Sequence, residues 1–181
     1  HMAGIHLLDE VTGAYNKSYI KKYFPDGGIA LVKGVKRVQG LMVAPGNPKN
    51  IKDLRDISNS EIRYVNRQKG AGTRILLDFL LKKHRIDGSC IYGYDREEMT
   101  HMSVAALITA GSADVGMGIY SAARVYGLDF VPICEEEYDF IVPERFLELE
   151  PVIKFIKVLK SEVFANRLMK MGGYIIDEIG K

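Results

Sequence analysis

The sequence predicts an α/β fold built on open, mostly parallel sheets, and three observations carry that expectation. Short apolar runs of strand character alternate with stretches of helical periodicity along most of the chain. Glycine and proline punctuate these runs at regular intervals. Of 181 residues 47% are hydrophobic and 27% charged, with both signs balanced, which is the composition of a packed core and not of a disordered chain. The length suits one domain or two small lobes.

The elements follow in order. Asp26-Gly27-Gly28 precedes Ile29-Ala30-Leu31-Val32, an apolar run that reads as a strand. Gly40-Leu41-Met42-Val43-Ala44 reads as a second, stopped by Pro45-Gly46-Asn47-Pro48, where two prolines forbid a continuing ladder. A short helix is expected over Lys52 to Ile57, then a strand over Ile62-Arg63-Tyr64-Val65-Asn66, rich in β-branched and aromatic residues. The strongest helix signal spans Ile75 to Leu81, with Lys82-Lys83-His84-Arg85 opposing the negative end of its dipole and Gly88 beyond.

Ile91-Tyr92-Gly93-Tyr94 is expected as a short strand. Asp95 and Glu98 have capping-box spacing for a helix that ends near Gly111. Ala113 to Gly116 reads as a strand, Tyr120 to Tyr126 as a helix stopped by Gly127, and Phe130–Ile133 and Tyr138–Val142 as two further strands. The tail is helical: Val152, Ile153, Phe155, Ile156, Val158 and Leu159 form a broad apolar stripe, and Val163 to Met171 continues until Gly172-Gly173.

Several function classes are disfavoured. A formal charge of +2 gives no general reason to expect nucleic acid or a membrane as partner. No window approaches the ~20 apolar residues of a membrane span. The N-terminus lacks the basic start and apolar stretch of a secretion signal. Cys90 and Cys134 lie 44 positions apart with no metal-binding spacing, and are expected as small buried hydrophobes of a cytoplasmic protein.

In open α/β sheets ligands bind at the carboxyl ends of strands, beside helix N-termini. That rule singles out Asn66-Arg67-Gln68-Lys69-Gly70-Ala71-Gly72-Thr73-Arg74, between an expected strand and an expected helix. Gly70, Ala71 and Gly72 let backbone N–H groups converge, and the helix behind them adds about half a positive charge. Thr73 offers a hydroxyl and Arg67 a planar, always-charged donor fork. The combination favours a carboxylate, phosphate or tetrahedral oxyanion. The plainer alternative is a strand-to-helix connection with Thr73 as helix cap and Arg67 on the surface. A P-loop is excluded, because Gly72 is followed by Thr73 and Arg74 where that motif needs Lys and then Ser or Thr.

Gly116-Met117-Gly118-Ile119-Tyr120-Ser121 is a partial dinucleotide-turn pattern with Ser121 in place of the third glycine; a plain tight turn lining a cleft, with Gly118 a candidate ligand-binding residue, is the preferred reading. His6, His84 and His101 share no metal spacing, Glu135-Glu136-Glu137 reads as a solvated loop, and Asp9 and Asp139 show no acid–base pairing. No nucleophile–base arrangement can be assembled, so neither enzymatic activity, nor a metal, nor a cofactor is expected.

Two long sets of segments resemble one known family. The first comprises Ala3-Gly4-Ile5-His6-Leu7-Leu8-Asp9, Thr12-Gly13-Ala14-Tyr15-Asn16 and Gln39 to Pro48. The second comprises Val65 to Gln68, Gly70 to Arg74, Ala113 to Ile119, Gly127 to Pro132 and Tyr138 to Pro143. Together they are similar to the type 2 periplasmic-binding-protein-like module associated with molybdate. That module occurs behind molybdopterin molybdenumtransferases of the MoeA type, behind helix-turn-helix regulators, or as a separate chain. The resemblance implies two α/β lobes joined by crossing strands, with a molybdate or tungstate ligand and a role in molybdenum cofactor biosynthesis or its regulation. It places Arg67 and Thr73 on the arginine and hydroxyl positions of an anion-holding loop, with N–H groups of Ala71, Gly72 and Thr73 donating. No second anion-binding helix with serine at its start is evident in the first lobe, where Thr12 and Tyr15 are the candidates.

The family usually begins with a strand, a helix and a strand before the segment matching Ala3, so the chain is expected to enter the fold part-way. Lobe one is expected over residues 1–46 and 128–181 and lobe two over 47–127, with crossings near Ala44-Pro45 and Leu128. A fused or separate partner domain and a homodimer are the partners considered. The alternatives are an effector domain for a small organic acid, as in LysR-type regulators, an enzyme for a nucleotide-linked pterin using Gly116–Ser121, and an assembly module.

Overall fold

A computed structural model describes the whole chain, His1–Lys181. It divides into two compact units, one of His1–Arg37 with Glu135–Lys181 and one of Val38–Cys134. The chain passes between them inside two fifteen-residue strands, β2 (Ile29–Val43) and β6 (Asp129–Pro143). The sequence had suggested crossings at the punctuated positions Ala44-Pro45 and Leu128; the crossings instead lie mid-strand. The two strands expected at 29–32 and 40–44 are one, as are those at 130–133 and 138–142. The charged residues that seemed to interrupt them are paired between strands: Lys33 Nζ lies 2.7 Å from Glu137 and 3.3 Å from Asp139, and Arg37 pairs with Glu136. Glu135-Glu136-Glu137 is therefore strand and not a solvated loop, and Glu136 is buried.

The first unit holds β1 (Ala3–Ile5), α1 (Lys17–Tyr23), α5 (Glu150–Leu159), α6 (Glu162–Met171) and β7 (Tyr174–Ile175). Here β1 lies antiparallel to β6, with Ala3 opposite Ile141, and β7 antiparallel to β2, with Lys36 opposite Ile175. The core joins Val32, Val142, Val152 and Leu159, with Phe155 and Ile156 of α5 packed against it and Phe155 edge-on to Phe140 at 4.8 Å, whereas Ile153 and Val158, expected in the same stripe, are exposed. Ser161 caps α6 by accepting from the Phe164 N–H.

The second unit holds β3 (Asn66–Arg67), α2 (Gly72–His84), β4 (Glu97–Glu98), α3 (His101–Thr109), β5 (Val115–Ile119) and α4 (Tyr120–Val125). The end of β2 pairs antiparallel with β5, Gly40 opposite Gly118. Parallel pairing appears where a helix returns the chain, between β3 and β4 and at the Tyr64–Val115 bridge. Antiparallel partners thus dominate the long strands, where the sequence had suggested mostly parallel ones. Met42, Val65, Val104, Ala105, Ile108 and Ala123 belong to one buried cluster of this unit, and Leu41, Ile57 and Leu77 are also fully buried in the unit.

Other local expectations shift for identifiable reasons. The helix expected over Lys52–Ile57 is only a 3₁₀ turn at Asp56–Ser58, because the Asp53 and Asp56 carboxylates accept from nearby backbone N–H groups and compete with helix. Ile62–Asn66 forms a ladder only from Asn66, and Ile91–Tyr94 is a turn. The capping box belongs to Thr100 and Ser103, not to Asp95 and Glu98; Glu98 lies in β4, so α3 starts later than expected. Cys134 is half-buried but Cys90 is exposed, and both are free thiols. No helix is long and apolar enough to cross a membrane.

Candidate functional site

The loop between β3 and α2 lies wholly in the second unit. Asn66 and Arg67 pair with Glu97 and Glu98 of β4. The chain then turns: the Ala71 N–H donates to the Gln68 carbonyl at 3.1 Å, and Gly70 at φ 87° supplies the left-handed residue this turn requires. Ala71 is the extended residue that precedes α2. It has no side chain able to cap the helix, and the first turn carries no acidic residue. The N–H groups of Gly72, Thr73 and Arg74 therefore have neither an intrahelical acceptor nor a side-chain cap from Ala71. Three donors and the positive end of a thirteen-residue helix converge there, which suits an anion.

Two details differ from the sequence reading of this loop. The Ala71 N–H is engaged in the turn and leaves the donor set to Gly72, Thr73 and Arg74. Thr73 is not the helix cap; it stands one residue inside α2, buried, with Oγ1 3.2 Å from Gln39 Nε2 and 3.3 Å from Gln39 Oε1. Arg67 is half-buried and not a free surface arginine. Its Nη2 donates to the Met99 carbonyl at 3.0 Å and its Nε to the Glu98 carbonyl at 3.3 Å, so the side chain is anchored along the β4 end.

Sequence reasoning missed two supporting residues. Gln39 on β2 is 0% exposed, and Arg74, in the first turn of α2, is 3% exposed. Arg74 Nε meets Asp78 at 3.0 Å, its Nη1 reaches Glu97 at 3.3 Å, and its guanidinium stacks 4.2 Å from the Tyr94 ring centroid. Burial alone would lower the pKa of Arg74, but Tyr94 and the charge of Asp78 hold it above its ordinary value. The Tyr94 hydroxyl, pushed up by burial, donates to Asp78 at 2.6 Å. This group braces the start of α2 and keeps a permanent cation beneath its N-terminus. Gln39 carries no local signal, because Lys33, Lys36 and Arg37 make β2 polar at several other positions; the Arg74–Asp78 spacing of one helical turn was the signal for Arg74.

The remaining candidates are not part of the β3–α2 loop. Gly118 belongs to β5, and a Cβ there would fall 2.7 Å from the Met42 Cε; at Gly116 it would fall 2.5 Å from Val104 Cγ1. Gly116 to Ile119 is thus strand leading directly into α4 and not a turn, and at Gly116 a Cβ would also fall 2.8 Å from the Val65 carbonyl oxygen, so close packing requires glycine there. Thr12 and Tyr15 belong to the first unit. The Thr12 N–H donates to Asp9 at 3.1 Å in an exposed loop, and Tyr15 forms a bridge with Leu8. No cluster of His, Cys, Asp and Glu has the arrangement of a metal site.

Comparison with known proteins places this geometry in a family. The profile of the PBP superfamily domain matches residues 1–160. The chain is 34% identical over 180 residues to the Bacillus subtilis (strain 168) protein YvgK, covering 99% of this chain and 58% of that protein, so it spans less than two thirds of that relative. Among solved structures, a Clostridium perfringens protein with bound phosphate superposes with a TM-score of 0.65 at 15% identity, over 96% of this chain and 78% of that one. The effector-binding domain of QuiR, in complex with shikimate, gives 0.59 at 16% identity, over 92% and 70%. At such identities the two structures establish the shared periplasmic-binding-protein-like fold. The profile match over residues 1–160 carries the assignment further: the chain belongs to the PBP superfamily domain family.

Proposed function

We propose that the chain is a non-enzymatic ligand-binding domain whose ligand is a small tetrahedral oxyanion, with molybdate or tungstate the leading candidates. The observation that carries this reading is the uncapped, acid-free first turn of α2, preceded by Gly70-Ala71-Gly72 and backed by buried Thr73. The anion would accept from the Gly72, Thr73 and Arg74 N–H groups and from the Thr73 hydroxyl, while Arg67 supplies charge from the β3 end. Phosphate bound to a protein of the same fold supports the oxyanion class. The choice of molybdate or tungstate comes from the resemblance of Asn66–Thr73 to an anion-holding loop, and it brings with it a role in molybdenum cofactor biosynthesis or its regulation.

A small organic acid is the second reading, and the shikimate complex of a fold neighbour favours it, because a carboxylate presents the same donors with an acceptor of the same charge sign. Titration of the chain with molybdate, tungstate, sulfate, phosphate and shikimate by calorimetry separates the two. Saturable binding of a tetrahedral anion, lost in Arg67→Ala with Thr73→Val, supports the first reading. Binding of shikimate alone moves the assignment to the second, and unchanged oxyanion affinity in the double variant removes the loop from the site.

A further inference from the structure

We infer that the second unit carries a second ligand site, separate from the start of α2, that takes a small organic acid with an apolar body. A cavity of about 270 Å³ opens between the Lys52–Arg55 turn, His84 at the end of α2 and Pro132-Ile133 of β6, all within Val38–Cys134. Along the axis of α2, His84 stands about 18 Å from Gly72.

Charge sets the sign of the ligand. Lys52 and Arg55 line the cavity, and Lys82, Lys83 and Arg85 flank His84. None of these five permanent cations makes an ion pair or a side-chain hydrogen bond. The carboxylates nearest in sequence are committed to backbone. Asp53 accepts from the Arg55 N–H at 2.7 Å, and Asp56 from the Lys52 and Asp53 N–H groups at 2.6 and 3.1 Å. Asp87 accepts from the Ser89 N–H at 2.9 Å. Their charge is held against backbone dipoles, while the ammonium and guanidinium groups are left to meet an anion. The carbonyl end of α2 would repel one, but the Leu81 and Lys82 carbonyls already accept from the Ile86 and Arg85 N–H groups at 2.9 and 3.1 Å.

The rest of the lining sets the body of the ligand. Leu54 is buried and Ile133 half-buried, and with Pro132 they present apolar surface beside the cations. An inorganic anion gains nothing from that surface, and an uncharged ring gains nothing from Lys52 and Arg55. A carboxylate carried on a ring or a short alkyl chain uses both, with the planar Arg55 fork matched to its two oxygens.

The test is a titration of the 181-residue chain with benzoate, followed residue by residue through backbone amide NMR shifts, with benzamide and inorganic phosphate for comparison. Benzoate is expected to shift the amides of Arg55, His84 and Ile133 saturably, and benzamide to bind at least about tenfold more weakly. Lys52→Gln with Arg55→Gln, two exposed positions, should weaken benzoate at least about tenfold. Benzoate shifts confined to Gly72–Arg74 would place the acid at the start of α2 and overturn this site. Benzamide binding as tightly, an unchanged affinity in the folded double variant, or no saturable shift with benzoate would each overturn it too. Phosphate that fails to shift Gly72–Arg74 while benzoate shifts Arg55 and His84 would remove the oxyanion loop and leave this second site standing.

Discussion

The amide of Asn16 donates to the carboxylate of Asp139 at 2.8 Å, and both side chains are buried in the first unit. Asn16 holds φ at 66°, a left-handed backbone uncommon outside glycine, while its Oδ1 accepts from the Leu7 N–H at 2.8 Å. Asp139 also accepts from the Gly34 N–H at 3.2 Å and from Lys33. One carboxylate thereby ties the loop before α1 to β2 and β6. Asp139→Ala leaves several buried donors without an acceptor, and is expected to destabilise the chain by about 2–4 kcal/mol. Urea denaturation checks this, and a loss under about 0.5 kcal/mol, the scale of an ordinary surface substitution, would show that the hub is dispensable.

Glycine at two strand positions is a steric requirement. A Cβ at Gly34 would lie 2.0 Å from the Tyr138 carbonyl oxygen, and one at Gly40 would lie 2.3 Å from that of Val131. Both obstacles are backbone, which cannot rotate away. Gly34→Ala and Gly40→Ala should each destabilise by about 3 kcal/mol or more, at or beyond the upper end of overpacking. Thermal denaturation of the two variants reads this directly; wild-type melting would mean that the strands stand farther apart.

Acid sensitivity should centre on Asp114. The Arg63 side chain donates to it at 2.7 and 3.1 Å and the Arg63 N–H at 2.8 Å. The side-chain hydrogen bond from Arg63 is the main cause holding this carboxyl below its usual range, against a smaller opposing effect of burial. A carboxyl depressed in the folded state contributes stability that is complete above its unfolded value and is lost as pH falls through the folded one. Asp114→Asn should therefore lower stability at neutral pH and flatten its decline below the ordinary carboxylate range. Urea midpoints across that interval test it, and parallel profiles for the two proteins would count against the pair.

Much of this architecture was legible in the sequence, for reasons that can be named. The helix expected over Ile75–Leu81 lies within α2, and the apolar stripe beginning at Val152 lies within α5, because helical periodicity survives local polar substitutions. Strands β2 and β6 were read as broken, because Lys33, Lys36, Arg37 and Glu135–Glu137 look like punctuation until their partners on the neighbouring strand are known. The capping box of α3 was misplaced because Ser103 stands where glutamate is the usual signal. At the candidate site, the loop was visible from its glycines. Gln39 was not, since its partner Thr73 is 34 positions away and no local pattern links them.

The loop reading assigns different tasks to its two side chains. Arg67→Ala removes charge that acts on any anion, so it should weaken molybdate, sulfate and phosphate alike, by about tenfold. Thr73→Val removes a directional donor and should weaken binding by a similar factor while changing the order of preference. Calorimetric titration of both variants tells these outcomes apart, and identical preference orders would show that Thr73 does not touch the ligand.

Whether this chain holds a tetrahedral oxyanion at the start of α2 is read most directly by thermal denaturation across a panel of molybdate, tungstate, sulfate, phosphate and organic acids. A ligand present at about 100 times its dissociation constant stabilises by about 2.7 kcal/mol. For a domain of this size that raises the melting midpoint by roughly 5 to 10 °C. Such a shift is expected with molybdate or tungstate and is abolished in the Arg67→Ala, Thr73→Val double variant. An equal shift in the double variant, or none with any tetrahedral anion, would contradict an oxyanion site at the start of α2.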